Sequence, residues 1–259
     1  MRRSLVLMLT ALMAVALLAV PASAASTAKI TVVHGIPGDA LGFDKALPVD
    51  VCLAGGTLLL AGVPFKGNNA AAPLEVPAGT YDIEVRLDAA ADCGGTLVLA
   101  APLTVEAGKA YTAIAALTAG LAPGAADQLD LGIDLFAFEN NTDRIGRLKA
   151  RATLGHFADA PAVDIYQGLL KGMDNRFMRE LFTGVPNGVA ASHDFFFGMR
   201  WFGLAVSPSA GPADIVIGPV HLGLERRANN FILAVGSLSE GTGSPFGLGS
   251  FDFITYSQG

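Results

Sequence analysis

The chain repeats itself, and the repeat limits what it can fold into more than any other feature. VVHGIPG…LPVDVCLAGG in the first half returns as LGHFADAPAVDIYQGLLKG in the second. This aligns His34 with His156, Val49-Asp50-Val51 with Val163-Asp164-Ile165, and Cys52 with Tyr166. LLLAGVPFKGNNAAAPLEV returns as LFTGVPNGVAASHDFFF, so Gly62-Val63-Pro64 meets Gly184-Val185-Pro186. TYDIEV then matches WFGLAV, VLAAPLTVEAGKAYTAIAAL matches VIGPVHLGLERRANNFILAVGSL, and IDLFAF matches the terminal FDFITY. Segments recurring in one order, 114 to 122 residues apart, describe a duplicated unit. The reading is two domains, residues 25–147 and 148–259, each small enough to be one compact module.

Each unit reads as strands. AKITVVH, LPVDVCL, TLLLAGV, APLEV, TYDIEVRL, TLVLAAPLTV, AYTAIAAL and LGIDLFAF alternate or are apolar throughout. Turn chemistry separates them at Pro37-Gly38, Gly55-Gly56, Lys66-Gly67-Asn68-Asn69, Pro77-Ala78-Gly79, Cys93-Gly94-Gly95 and Ala107-Gly108-Lys109. The fold class that follows is all-β: two tandem antiparallel β-sandwich domains, immunoglobulin-like or transthyretin-like, of about seven to eight strands each. Helical spacing is expected only over residues 169–181, where KGMDNRFMREL mixes charge with apolar positions.

Residues 1–24 read as a signal peptide. Arg2 and Arg3 precede an apolar run from Leu5 to Val20, then Pro21 and Ala22-Ser23-Ala24. The run is short for a bilayer span, more apolar than twin-arginine leaders, and not directly followed by a lipid-attachment cysteine. The expectation is Sec-type export to the periplasm or extracellular space, cleavage before Ala25, and no stable membrane anchor afterwards. Removing Arg2 and Arg3 leaves 17 − 2 = 15 cations against 23 acids, a formal charge of −8, which disfavours nucleic acid as a partner. Cys52 and Cys93 are an even pair in an exported chain, without CxxC spacing, and read as one disulfide.

HFADAPAVDIY, VPAGTYDIEV and VEAGKAYTAIAAL resemble the bacterial family called domain of unknown function 4397, over essentially the whole mature chain. The resemblance implies export, tandem copies and a cysteine of the VDV strand paired with a DC turn, here Cys52 and Cys93. The first half departs from the pattern by the insertion GDALGFDKAL. The second departs by losing both cysteines, adding MDNRFMRE and replacing PAGTY with FFFGMRW. The resemblance implies architecture and no activity.

Neither GxSxG, HExxH, an EF-hand nor a P-loop occurs, and Gly241-Thr242-Gly243-Ser244 reads as a hairpin loop. No catalytic residue, metal ligand or cofactor is assigned. Three features carry a functional reading beside a structural one. Phe195, Phe196, Phe197, Trp201 and Phe202 cannot all face one side of a strand, so they either pack between the sandwiches or form a ligand or partner patch. Arg176 and Arg179 fit a solvated loop or short helix better than an anion site, and Asn140-Asn141-Thr142 is formally a sequon but reads as a turn. His34 with Asp50 and His156 with Asp164, Asp159 standing nearby, are repeat-equivalent polar pairs. They fit turn-fixing hydrogen bonds better than a metal or proton-transfer site. The functional expectation is an exported, non-catalytic structural or interaction module of the envelope or extracellular space. The alternatives are a small-molecule or glycan binder using the aromatic patch or an interdomain cleft, and a hydrolytic or metal enzyme.

Overall fold

A computed structural model describes residues 26–41, 43–87, 92–118, 132–168, 178–237 and 251–259. Residues 1–24, expected to be a signal peptide, and Gly241-Thr242-Gly243-Ser244 lie outside them, as do residues 169–177 with Arg176. The first half holds β1 (Thr27–His34), β2 (Val49–Leu53), β3 (Thr57–Val63), β4 (Leu74–Pro77), β5 (Gly79–Leu87), β6 (Leu97–Val105), β7 (Ala110–Leu117) and β8 (Ile133–Glu139). The second holds β9 (Lys149–Asp159), β10 (Val163–Gly168), β11 (Arg179–Val185), β12 (Val189–Phe196), β13 (Gly198–Val206), β14 (Ile215–Leu224), β15 (Asn229–Ser237) and β16 (Asp252–Gln258). Residues 179–181, expected to be helical, belong instead to β11, which pairs with β10 and leaves Arg179 exposed. Pairing with a formed sheet outweighs a local helical pattern.

The strands form four sheets ordered β4-β1-β7-β8, β3-β2-β5-β6, β12-β9-β15-β16 and β11-β10-β13-β14. Adding eight to each strand number of the first pair of sheets gives the second pair, so the duplication visible in the residues is also a duplication of topology. Pairing is antiparallel except for β1 with β7 and β9 with β15, which run parallel because the chain crosses to the other sheet and back between them. The register corrects one segment of the repeat. Val49 faces Leu87 and Val163 faces Val206, which places Ile83 opposite Leu53 and Phe202 opposite Gln167. GTYDI is therefore equivalent to GMRWF, two residues off the TYDIEV–WFGLAV match, a shift that keeps every side chain on its face.

Each sandwich has its own core. Ile30, Val51, Ile83, Leu103 and Ala113 meet in the first, and Leu154, Ile165, Phe195, Phe202 and Ile232 in the second. A third apolar cluster joins the halves: Val33, Ile114 and Ala116 pack on Phe157, Phe231, Leu233, Val235 and Ile254. β7 and β15 are thus apolar on both faces, which explains why AYTAIAAL and NNFILAVGS lack alternation. Polar contacts close this junction at its edges: Asn187 Nδ2 donates to the Leu117 and Ala158 carbonyls at 3.2 and 2.7 Å. Tyr256 meets Thr112 at 3.2 Å, and Gln258 Nε2 donates to Thr31 Oγ1.

Candidate functional site

The repeat-equivalent histidines and aspartates are all buried. They do not pair with each other. A carbonyl can only accept, so His34 donates through Nδ1–H to Val63 O at 3.0 Å, and His156 through Nε2–H to Pro161 O at 3.0 Å. The targets differ because β9 turns tightly into β10, bringing Pro161 within five residues of His156. Residues 35–48, with the insertion, separate β1 from β2. Burial lowers the pKa of both imidazoles, partly offset by carbonyl acceptors. The aspartates face glycines. Asp50 Oδ1 accepts from Gly62 N at 2.9 Å and Asp164 Oδ1 from Gly184 N at 2.7 Å. Both glycines have left-handed backbones, φ 55° and 61°, where β3 and β11 slip register against β2 and β10. The VDV/VDI carboxylate therefore satisfies the amide of a bulged glycine. The aligned Gly-Val-Pro segments were the available signal for this partnership. Asp159 accepts from Ser237 Oγ at 2.9 Å. Among the described residues no group of three or more His, Cys, Asp or Glu could hold a metal ion.

Cys52 and Cys93 are bonded, Cα atoms 6.2 Å apart, tying β2 to the β5–β6 connection. The second copy makes the same tie without sulfur. Tyr166, standing for Cys52, is buried, and its hydroxyl lies 2.7 Å from Ser209 Oγ in the β13–β14 connection. Ser209 spends its hydrogen on Asp164 Oδ2 at 2.6 Å, so Tyr166 is the donor to Ser209.

The five aromatics separate. Phe195 and Phe202 fill the second core, edge to face at 6.0 Å. Trp201 stacks on His221 at 4.2 Å on the outer face of its sheet. The aromatics between the sandwiches are others: Phe65, Phe136, Phe138, Phe157, Phe231 and Tyr256. Phe196 and Phe197 instead form a corner where β12 leaves one sheet and β13 enters the other. With Leu148 and Met199 they are 64%, 46%, 54% and 48% exposed. Gly198 turns the corner at φ 112°, and Arg200 braces it from within by donating to the Phe196 and Met199 carbonyls at 2.8 and 2.9 Å. Phe197 N bonds Leu148 O at 3.3 Å, joining the corner to the segment that links the two halves.

The concave features are poorer in specific chemistry. A cavity of about 50 Å³ inside the first sandwich is lined by apolar side chains and His34, far too small for an ordinary ligand. A groove of about 560 Å³ runs between the halves past Lys29, Asn140, Arg144, Arg227 and Gln258. Asn140, of the formal sequon, is buried there and accepts from Thr112 Oγ1 at 2.9 Å.

The model of the domain of unknown function DUF4397 matches residues 28–166. The chain belongs to this family. The DUF4397 match runs from the second residue of β1 through β8 and on into β9 and β10. No curated protein matches the chain. Among solved structures, the TIE protein of Bacillus anthracis is similar at 8% identity and TM-score 0.23 over 82% of this chain, which spans only 33% of that protein. A putative cell adhesion protein from Bacteroides uniformis is similar at 9% identity and TM-score 0.25, over 92% of this chain and 98% of that one. Likenesses this loose decide nothing about activity. The disulfide fits a non-cytoplasmic compartment, and among the described residues no helix is long and apolar enough to cross a membrane.

Proposed function

We propose that this DUF4397 protein is an exported, non-catalytic interaction module of the cell envelope or extracellular space: two sandwiches packed into one unit that presents a surface rather than a reaction centre. The observation that carries this reading is the apolar corner at Leu148, Phe196, Phe197 and Met199. It is braced and exposed, whereas His34, Asp50 and Asp164 are held by backbone and turn partners and His156 is held at Nε2 by the Pro161 carbonyl, its buried Nδ1 left without a partner. A small-molecule or glycan binder would present its aromatics inside a concave site, and the corner side chains line neither the cavity nor the groove described above. The leader and the oxidised cysteine pair support export. Expression of the full chain followed by fractionation tests the reading. The expected product begins at Ala25, lies outside the cytoplasm and resists thiol alkylation until reduced. An unprocessed cytoplasmic chain with two free thiols would sink it.

A further inference from the structure

We propose that the β12–β13 corner docks on an anionic phospholipid bilayer, with Phe196, Phe197 and Met199 entering the interface and the surrounding cations meeting the head groups. This rests on the envelope reading and names the partner of that surface. The fold does not require the apolar side chains. The equivalent corner of the first sandwich, Pro77-Ala78-Gly79-Thr80, connects the same two strands with small and polar residues, where the second copy has Phe196-Phe197-Gly198-Met199. Among the described residues of the second sandwich nothing covers them.

Charge selects the occupant. Residues 147–149 and 225–227 adjoin the corner and carry Arg147, Lys149, Arg226 and Arg227 against Glu225, a local 4 − 1 = +3 in a chain of net charge −6. The adjacency is direct. Lys149 Nζ lies 5.6 Å from the Phe196 ring centre, Arg226 Cζ 5.9 Å from that of Phe197, and Arg227 N bonds Lys149 O at 2.8 Å. Apolar side chains ringed by cations match a bilayer with acidic head groups, where aromatic rings settle at the interface and each nearby cation adds attraction. A second copy would bring two such cation sets together, so like-charge repulsion disfavours self-association here. A neutral glycan has no use for the cations.

Co-sedimentation of the mature chain with vesicles tests this, using phosphatidylethanolamine–phosphatidylglycerol vesicles beside purely zwitterionic phosphatidylcholine ones. Binding should favour the anionic vesicles by at least about tenfold and fall steeply with salt. Phe196→Ser/Phe197→Ser and, separately, Arg147→Glu/Arg226→Glu should each weaken it about tenfold or more. Fluorescence of Trp201, the chain's single tryptophan, reports whether each variant keeps its fold, because Trp201 lies outside the corner. Failure to bind either vesicle would overturn the proposal, as would equal binding by a folded double-serine variant. A solution dimer dissolved by that variant would replace the membrane with a second copy. An exported, oxidised chain that ignores vesicles leaves the envelope reading standing and removes only this one; a reduced cytoplasmic chain removes the envelope reading itself.

Discussion

Three buried polar side chains give the protein two separate acid responses. His34 and His156 have pKa values lowered by burial, so below the ordinary 6.5 the unfolded chain binds protons that the native chain refuses. Their stability contribution is complete above about pH 6.5 and lost as pH falls toward the native values. The melting temperature should therefore fall between pH 7.5 and 5, and His34→Gln/His156→Gln should flatten that fall in a thermal-melt series. Asp164 acts lower. Burial alone would raise its pKa, but the Ser209 hydroxyl, the Gly184 amide and the Ser207 and Ser209 donors outweigh it and hold it at about 2. Its contribution is present above the ordinary 3.8 and drains away from there toward 2. Asp164→Ala, which strands the Gly184 and Ser209 amides, should cost about 2–3 kcal/mol by chemical denaturation at neutral pH. These roles were half legible: alignment marked the histidines and aspartates as equivalent, but which backbone group each would meet depends on strands brought together from elsewhere in the chain.

One tie, built twice with different chemistry, governs the elements. The Cys52–Cys93 bond closes a loop of separation 41, and by the chain-entropy estimate its removal should cost about 3–4 kcal/mol. Tyr166→Phe removes only the donor to Ser209 and should cost about 1 kcal/mol. Reduction monitored by amide exchange should accordingly loosen β2, β5 and β6 well before β10, β13 and β14. Thiol titration showing two free cysteines in the native exported chain would contradict the bond. The strands themselves were readable because glycine, proline and asparagine punctuate them, and all eight segments read in the first half are strands. The aromatic run was not readable as a site. Alternation sends Phe195 inward and Phe196 outward, but only the corner geometry separates Phe196 and Phe197 from Trp201.

At the scale of the whole molecule, the decisive surface is the one the two sandwiches hide from water. Ile114 and Leu233 come from the central strands β7 and β15, are fully buried, and meet across the junction rather than inside either sandwich. Gly35 lets that approach happen: a Cβ there would sit 3.1 Å from Ile114 Cδ1 in one half and 3.0 Å from Val235 Cγ1 in the other. Truncating Leu233 to alanine leaves a cavity in this apolar layer and should cost about 2–4 kcal/mol. Its effect on cooperativity distinguishes it from a core substitution of the same size. A buried charge at Ile114→Asp cannot be solvated while the faces touch, so it favours their separation without removing any contact within either core. Calorimetry should then show one transition for the native protein and two for this variant. The sandwich lacking the disulfide should melt without regard to reductant, and the disulfide-tied one should shift on reduction. A variant that still melts in one transition, lowered as a whole, would show that the halves depend on each other to fold and that the junction cluster belongs to one continuous core.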